Sequence, residues 1–393
     1  MPPASPSTAR ALNDRLALRL LQERGPLSAS ELKTLTGLAR PTVADLVQRL
    51  QDTGLIRLVG ESATKRRGPN ARLYGIAADR AHLAALDMRT DGVRVLVTDL
   101  LGTTLAESAL PVSPDTPSEA AARGSADLLE QTAKQAGAEP LHTVAVGAPG
   151  LIDPATGALR ETSGRAWHHQ LIALLQQRLP ATVRLENETN LAAMAEQRQG
   201  AARDRESFVL LWLGDGVGAA VVLDGRLRRG TSGGAGEIGF LPVPGTVGLP
   251  SAVSCEGGLH SLLSATAVCA LAVEHGFAAT AGTGDTPAAQ ETVRAAVAAG
   301  AGGEPFLTAL ASRVSLGAAA VTAILDPGCV VLGGELGQAG GTVFATLVQE
   351  QLAALSPLRT EVRPGELGGA GVLRGALLAA QDAAQQVLFP PVA

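Results

Sequence analysis

The stretch from residue 208 to residue 240 constrains the fold more than any other part of the chain. Two apolar runs, Phe208–Leu213 and Ala219–Leu223, flank a turn of Gly214–Gly218. Asp224-Gly225 follows as a hairpin signal, and a second Gly-rich loop ends in residues 236–239. Glycines between buried strands let a ligand approach the backbone, whose free N–H groups suit phosphate or sugar oxygens. The pattern predicts strands joined by ligand-lining loops; tight hairpins in a protein rich in small residues are the alternative.

The chain divides into a basic head and an acidic body. At 393 residues it is too long for one ordinary core, so two or three domains are expected. Hydrophobic residues make up 46% of the chain but aromatic residues only 2%, so the core must consist of Ala, Val and Leu. Residues 1–80 hold 13 Lys and Arg against 7 Asp and Glu, whereas the remainder holds 19 against 30. This distribution indicates that the head meets a polyanion.

Targeting and cysteine signals are weak. The N-terminus lacks the apolar core of a signal peptide, and no apolar run approaches the length of a membrane span, so a cytoplasmic protein with no membrane partner is expected. Cys255, Cys269 and Cys329 have no metal-ligand spacing, and their odd number argues against a disulfide framework.

Residues 10–76 carry the pattern of a winged helix-turn-helix. After a first apolar-striped helix, Ser28 and Glu31 form a capping box that opens a short second helix, and Gly37 marks the turn. A third helix is predicted over residues 39–52. Its expected buried face consists of Val43, Leu46, Val47 and Leu50.

A predicted hairpin follows the third helix and has a basic tip. Such a wing can place arginines in a minor groove or on phosphates, while the third helix fits the major groove of duplex DNA. The candidate base-reading residues are Arg40, Thr42, Gln48 and Arg49. The candidate wing contacts are Lys65, Arg66, Arg67 and Arg72. A dimer on an inverted-repeat operator is expected, and the alternative is a helical subdomain with a solvated charged loop.

Beyond residue 79 the sequence predicts a duplicated α/β body. Apolar strands are expected over His82–Met88 and Val93–Asp99, joined by a turn that contains Asp91-Gly92. The same arrangement returns at Asp215-Gly216, between two further apolar strands. Two such halves predict a body in two lobes, with the cleft between them as the ligand site.

Four segments in the body resemble motifs of the ROK family, a family of repressors, open reading frames and sugar kinases. They are GAPGLIDPATG (147–157), ENETNLAAMAE (186–196), GEIGF (236–240) and LDPGCVVLGGEL (325–336). The resemblance implies an α/β fold with an N-terminal winged helix-turn-helix (10–76) and a duplicated ribonuclease H-like (actin/hexokinase-like), two-lobed body (80–393). The first lobe is expected over about residues 80–186 together with the C-terminal helix, and the second over about residues 187–375.

The chain departs from the family's kinase motifs at the phosphate loop and at the catalytic base. The loop Asp-x-Gly-Gly-Thr is replaced by residues 87–91, Asp-Met-Arg-Thr-Asp, which lack both glycines. Glu188 replaces the aspartate that acts as base, and it is one methylene longer. A protein without kinase activity and without a nucleotide cofactor is therefore expected.

The zinc ligands of the family also have no counterpart. Phe240 replaces a histidine, and Ser251, Val253 and Gly258 align with three cysteines. With thiolate and imidazole ligands both missing, no metal is expected.

The resemblance places five candidate effector contacts in the cleft: Asn187, Glu188, Asn190, Glu237 and His260. Asn187 as a turn residue and Glu237 as a helix cap are the alternatives. The sequence thus predicts a DNA-binding transcriptional regulator, a repressor of carbohydrate-related genes, whose degenerate kinase-like body senses a small sugar-like effector as a homodimer or a dimer of dimers. The alternatives are an ATP-dependent sugar kinase and a regulator whose sensor no longer functions.

Overall fold

The computed structural model describes residues 6–62, 71–161, 165–280, 282 and 288–389. The elements of the head are α1 (Pro6–Arg24), β1 (Leu27–Ser28), α2 (Ala29–Thr36), α3 (Arg40–Asp52), β2 (Ile56–Ser62) and β3 (Ala71–Ile76). Its three strands form a sheet in the order β1-β3-β2, with both pairs antiparallel. The predicted winged helix-turn-helix is confirmed.

Local interactions in the head explain where its helices begin and end. The Ser28 side chain accepts a hydrogen bond from the backbone N–H of Glu31, and the backbone N–H of Ser28 donates to the Glu31 carboxylate at 2.8 Å. This capping box starts α2. Gly37 ends it in the left-handed region at φ 71°, which a glycine adopts without strain. The predicted apolar face of α3 is buried at all four positions.

The first lobe begins with a three-stranded meander. Its elements are β4 (His82–Met88), β5 (Gly92–Asp99), β6 (Thr104–Pro111), α4 (Ser118–Gln135), β7 (Leu141–Ala148), α5 (Ala166–Arg178) and β8 (Thr182–Asn187). The five strands form one sheet in the order β6-β5-β4-β7-β8.

Helix α6 (Glu188–Gln199) joins the two halves of the body. The second lobe that follows contains β9 (Phe208–Leu213), β10 (Val217–Leu223), β11 (Arg226–Arg228), α7 (His260–Leu263), α8 (Ala265–Glu274), α9 (Ala288–Ala298), α10 (Glu304–Leu325), β12 (Cys329–Gly333), α11 (Gly334–Leu355) and β13 (Glu361–Pro364). The chain then continues into helix α12 (Gly371–Leu388).

The two lobes repeat one sheet topology. The second sheet has the order β11-β10-β9-β12-β13, which matches the first sheet strand for strand. In each sheet three strands pair antiparallel, and two more add in parallel on the other side of the first strand. The predicted duplication and the ribonuclease H-like fold class are confirmed.

Helices α6 and α12 fill the space between the sheets. Helix α12 contacts β4, β5 and β7 of the first sheet, whereas α6 contacts β9 and β10 of the second, and the two helices contact each other. The outer face of the first sheet is covered by α4 and α5, and that of the second by the helices from α7 to α11. Because α6 contacts both halves of the body, the predicted boundary between the lobes at residue 187 stays a prediction.

The head is joined to the body by continuous packing. One hydrophobic cluster contains Leu18 of α1 and Ile76 of β3 together with Leu83 of the first sheet and Phe208 of the second. The backbone N–H of Leu100 also donates to the carbonyl of Ala78 at 2.9 Å. The head therefore belongs to one packed hydrophobic cluster with both lobes of the body.

Helix α10 is apolar enough, by length and composition, to cross a membrane, with a mean hydropathy of 1.5 over its most apolar window. The expectation that no segment reaches this length was therefore too strict. Half of that window is buried in the protein, and Phe306, Leu310 and Val314 belong to the core of the second lobe. Packing in the second lobe accounts for its apolar composition.

Candidate functional sites

Two of the four candidate base-reading residues are exposed on the outer face of α3, in its first turn. Arg40 and Thr42 are exposed in the first turn, and Arg40 has no ion-pair partner among the described residues. Gln48 is exposed farther along the helix, where its amide donates to Asp52 at 2.8 Å. The N-terminal turn of α3 is thus the part best placed to reach base edges.

Arg49 is engaged in ion pairs within the head. Its Nη2 lies 2.6 Å from the carboxylate of Asp14 on α1, which is 7% exposed, and its Nη1 pairs with Asp45. The carboxylate of Asp14 holds the pKa of Arg49 above its ordinary value. Arg49 ties α3 to α1, and its predicted role in reading bases stays a prediction.

The wing is only partly described. Lys65, Arg66 and Arg67 lie outside the described residues, so their assignment stays a prediction. Arg72 is exposed on β3 and pairs in register with Glu61 of β2. Its position on the wing agrees with the proposed DNA contact but does not test it.

Acidic side chains lie where strands of both sheets reach the cleft. Asp87 lies near the end of β4, Asp215 follows β9, and Glu335 follows β12. In α/β sheets the carboxyl ends of parallel strands form the ligand crevice. Asp87 is 1% exposed, and its Oδ1 has no hydrogen-bond partner among the described residues.

Arg89 bridges the lobes through these carboxylates. Its Nε donates to Asp87 Oδ2 at 2.9 Å, and its Nη2 lies 3.1 Å from Glu335 Oε1 and donates to the Gly369 carbonyl at 3.1 Å. Burial alone would lower the pKa of Arg89, but the Asp87 and Glu335 carboxylates outweigh it and hold that pKa above the ordinary value. Thr90 adds a weak contact to Asp215 across the cleft at 3.5 Å.

His168 supports the loop that carries Arg89. It is fully buried, its Nδ1 accepts the backbone N–H of Arg165 at 3.1 Å, and its Nε2 lies 3.1 Å from the Arg89 carbonyl. Burial lowers the pKa of His168 to about 4, so the ring is neutral and its Nε2–H donates to that carbonyl.

Glu188 is the predicted effector residue that joins the acidic cluster. It is half-buried at the first position of α6. Burial, reinforced by the carboxylates of Asp87 and Glu335, raises its pKa to about 8. At neutral pH the group is therefore mostly a carboxylic acid, which can donate a hydrogen bond to a ligand oxygen.

Asn187 and Asn190 have their polar groups engaged within the protein. Asn187 caps α6, because its Oδ1 accepts the backbone N–H groups of Thr189 and Asn190, and its Nδ2 donates to the Gly150 carbonyl at 3.0 Å. Asn190 is 4% exposed and donates to Glu186 at 3.0 Å. The structure thus gives these two predicted contacts a framework role that orients the loop carrying Gly150.

Glu237 lies on a loop of the second lobe, and His260 begins the short helix α7 near it. Glu237 is exposed and makes no side-chain cap, and its partial desolvation raises its pKa. His260 is half-buried, and a Cβ added to Gly239 would lie 3.7 Å from its side chain. At Gly236, with φ +93°, a Cβ would come within 1.9 Å of the Ala219 carbonyl oxygen, so the glycine allows the loop to approach β10.

The cross-lobe cluster is not among the sites predicted from the sequence. Residues 87–91 were interpreted only as a lost phosphate loop, and neither Asp215 nor Glu335 was a candidate site residue. The available signal was positional, because Asp87, Asp215 and Glu335 each stand at or just after the end of an apolar strand. In a duplicated sheet those strand ends converge on one cleft.

Two family models and several known proteins match this chain. A model of the ROK family matches residues 83–383, and one of the MarR family matches residues 12–68. The xylose repressor of Caldicellulosiruptor bescii is 24% identical over 237 residues, covering 60% of this chain and 59% of that protein. The bifunctional enzyme NanE/NanK of Brucella suis is 37% identical over 205 residues, covering 51% of this chain and 35% of the enzyme. Both matches span less than two thirds of the relative's length.

A solved structure resembles the whole chain. The crystal structure of a ROK family transcriptional regulator, a homologue of the Escherichia coli Mlc protein, superposes with a TM-score of 0.74 over 98% of this chain and 99% of its own. At 18% identity this likeness shows the fold, and it includes both the winged head and the two-lobed body.

Replacing Arg49 is expected to destabilise the head. Arg49→Met leaves the buried Asp14 carboxylate without its partner, which should lower the free energy of unfolding by about 1–2 kcal/mol. Urea unfolding measures the change, and Arg40→Met is the matched control because Arg40 is exposed and unpaired among the described residues. Equal stability of the two variants would contradict a stabilising role for the Arg49–Asp14 pair.

Glu188 is expected to make stability depend on pH. Its pKa is raised from 4.5 to about 8, so the folded state keeps a proton that the unfolded state releases, and the free energy of unfolding should fall as pH rises between those values. Glu188→Gln removes this dependence. As pH rises, the free energy of unfolding of the variant should therefore increase relative to that of the wild type, by about 1 kcal/mol per pH unit and a few kcal/mol at most. Thermal unfolding at pH 5 and pH 8 tests this, with the exposed Glu107→Gln as control. An equal change in unfolding temperature between pH 5 and pH 8 for Glu188→Gln and the wild type would contradict this pH dependence.

Proposed function

Because the chain belongs to the ROK family, we propose that it is a sequence-specific, DNA-binding transcriptional repressor whose two-lobed body senses a small sugar-like ligand. The observation that carries the proposal is the winged helix-turn-helix at residues 6–62 and 71–76, packed on a two-lobed body. The xylose repressors among the relatives support the same class.

The head supplies the DNA-binding part of the proposal. Arg40 and Thr42 stand free at the N-terminal turn of α3, which is the end of a recognition helix that reads base edges in helix-turn-helix proteins. Arg72 lies exposed on the wing strand, beside the basic loop. A dimer would place two such heads on an inverted repeat of double-stranded DNA in the cytoplasm.

The loop at residues 87–91 argues against catalysis. A nucleotide would place its phosphates against this loop, which has no glycine to bring backbone N–H groups close to them. The guanidinium of Arg89 is already bonded to Asp87 and Glu335, so it is not free to bind phosphate oxygens. The arrangement fits a body that has kept the kinase-like fold without nucleotide chemistry.

An ATP-dependent sugar kinase is the second candidate. The observation in its favour is the 37% identity over 205 residues to the bifunctional NanE/NanK enzyme. A coupled assay for ADP release over a panel of monosaccharides separates the two functions. Turnover that Glu188→Gln abolishes would establish the kinase and refute the non-enzymatic assignment.

The sensor part of the proposal rests on Glu188 and Glu237. A protonated Glu188 donates and Glu237 accepts, which suits the paired donor and acceptor character of sugar hydroxyls. Phe240, 39% exposed beside Glu237, adds an apolar face. This face favours a less polar sugar. Alternatively, Phe240 closes the cleft altogether, and the body then no longer works as a sensor.

Arg40 is expected to carry sequence preference. If its guanidinium bonds a guanine edge, Arg40→Ala should weaken operator binding by about 1–3 kcal/mol while leaving binding to scrambled DNA nearly unchanged. Fluorescence anisotropy at one fixed salt concentration measures both affinities. Arg374→Ala, an exposed arginine of α12 far along the chain from the head, is the control. Equal losses on both DNAs would make Arg40 a phosphate contact.

Glu237 is expected to be needed for ligand binding. Calorimetry over a panel of monosaccharides and disaccharides should find a ligand whose affinity falls at least about tenfold in Glu237→Ala, because the unpaired ligand hydroxyl costs about 1–3 kcal/mol. Glu256→Ala, an exposed glutamate of the neighbouring loop, is the control. The absence of any ligand across the panel, with operator binding intact, would favour the regulator without a working sensor.

A further inference from the structure

A cavity separate from the central cleft lies between the first lobe and a loop of the second. Its volume is about 470 Å³, and its walls come from β7, β8, α6, α12, the loop after β7, and Arg229 after β11. It shares no lining residue with the cleft cluster of Asp87, Glu188 and Glu335 or with Glu237. We propose that this cavity is a second ligand site, which takes a small organic anion with a phosphate or carboxylate group and a compact apolar body.

The charge of the ligand follows from which lining groups are already neutralised. Glu186 is paired with Arg229 at 2.5 Å, and Asp382 is paired with Arg198 at 2.5 Å. Among the charged lining residues, only the side chain of Arg184, an exposed residue of β8, has neither an ion pair nor a hydrogen bond within the described chain.

Asp153, the remaining acidic residue of the lining, keeps its charge but is fixed by the backbone of its own turn. Its Oδ1 accepts the N–H groups of Ala155 and Thr156 at 2.8 and 3.3 Å. The cation of the lining that has no ion pair among the described residues is the Arg184 guanidinium, whose planar fork of donors matches phosphate and carboxylate oxygens.

The apolar body follows from the wall opposite these charges. Ala145 and Ile152 are buried in the wall from β7 and the loop after it, and Met194 of α6 and Ala379 of α12 are half-buried beside them. A cavity of this size is within the range of small-molecule sites, which combine an apolar lining with a few polar anchors. An inorganic anion would leave that wall in contact with water.

Ligand binding here would be coupled to the cleft through the end of β8. The Glu186 carboxylate accepts hydrogen bonds from the backbone N–H of Asn187, from Asn190 Nδ2 and from Arg229 of the second lobe. Asn187 in turn caps α6, where Glu188 begins the helix. A ligand that binds Arg229 or Glu186 would therefore change the hydrogen bonds at the N-terminus of α6, where a ligand in the cleft would also bind. Both ligands would contact groups from the two lobes.

Calorimetry on the full chain tests this site with phenyl phosphate, using inorganic phosphate and phenol as the two halves of the probe. We expect phenyl phosphate to bind with a Kd below about 1 mM and at least about tenfold more tightly than either half. Arg184→Gln and Ala379→Leu should each weaken it about tenfold, the first by removing the anchor and the second by filling the wall. Arg374→Gln changes an exposed arginine of α12 that has no ion pair among the described residues and does not line the cavity, and it should change the Kd less than about twofold.

Four results would overturn the proposal. They are no binding of phenyl phosphate up to about 10 mM, equal affinity for inorganic phosphate, equal loss in Arg184→Gln and Arg374→Gln, or loss in Glu237→Ala with Arg184→Gln unaffected. The last would place the anion in the central cleft. None of these results depends on operator binding or on sugar binding, so a failure here is distinct from a failure of the proposed repressor function.

Discussion

The ion cluster around Arg89 is the interaction on which the body's arrangement depends. Asp87 is almost fully buried, so its carboxylate needs a countercharge, and Arg89 supplies it from two residues along the same strand end. The same guanidinium reaches Glu335 and the Gly369 carbonyl of the second lobe. One side chain thus balances a buried charge and joins the lobes.

The duplicated fold explains why these groups meet. Each sheet presents its parallel strand ends to the cleft, and α6 and α12 pack between the two sheets. The winged head shares a hydrophobic cluster with both sheets. Continuous packing between body and head is the physical requirement for a ligand in the body to alter the proposed DNA binding.

The sequence predicted local structure well, because local rules decide it. The capping box at Ser28, the turn at Gly37 and the Asp224-Gly225 hairpin each depend on a few neighbouring residues, and all three are present. Long-range partners were beyond such rules. Periodicity placed Arg49 on the outside of α3, yet Asp14, 35 residues away, draws its guanidinium inward. Likewise, the roles of Asn187 and Asn190 were decided by Gly150 and Glu186, whose approach only the folded chain shows.

A chain that reads a DNA sequence through its head should select that sequence from a random duplex library when the purified full chain is used as bait. We expect enrichment of an inverted repeat whose half-sites lie a whole number of helical turns apart, about 34–36 Å per turn. A pool without any enriched motif, obtained from a chain that phosphorylates a sugar with ATP, would contradict this expectation and establish the kinase instead.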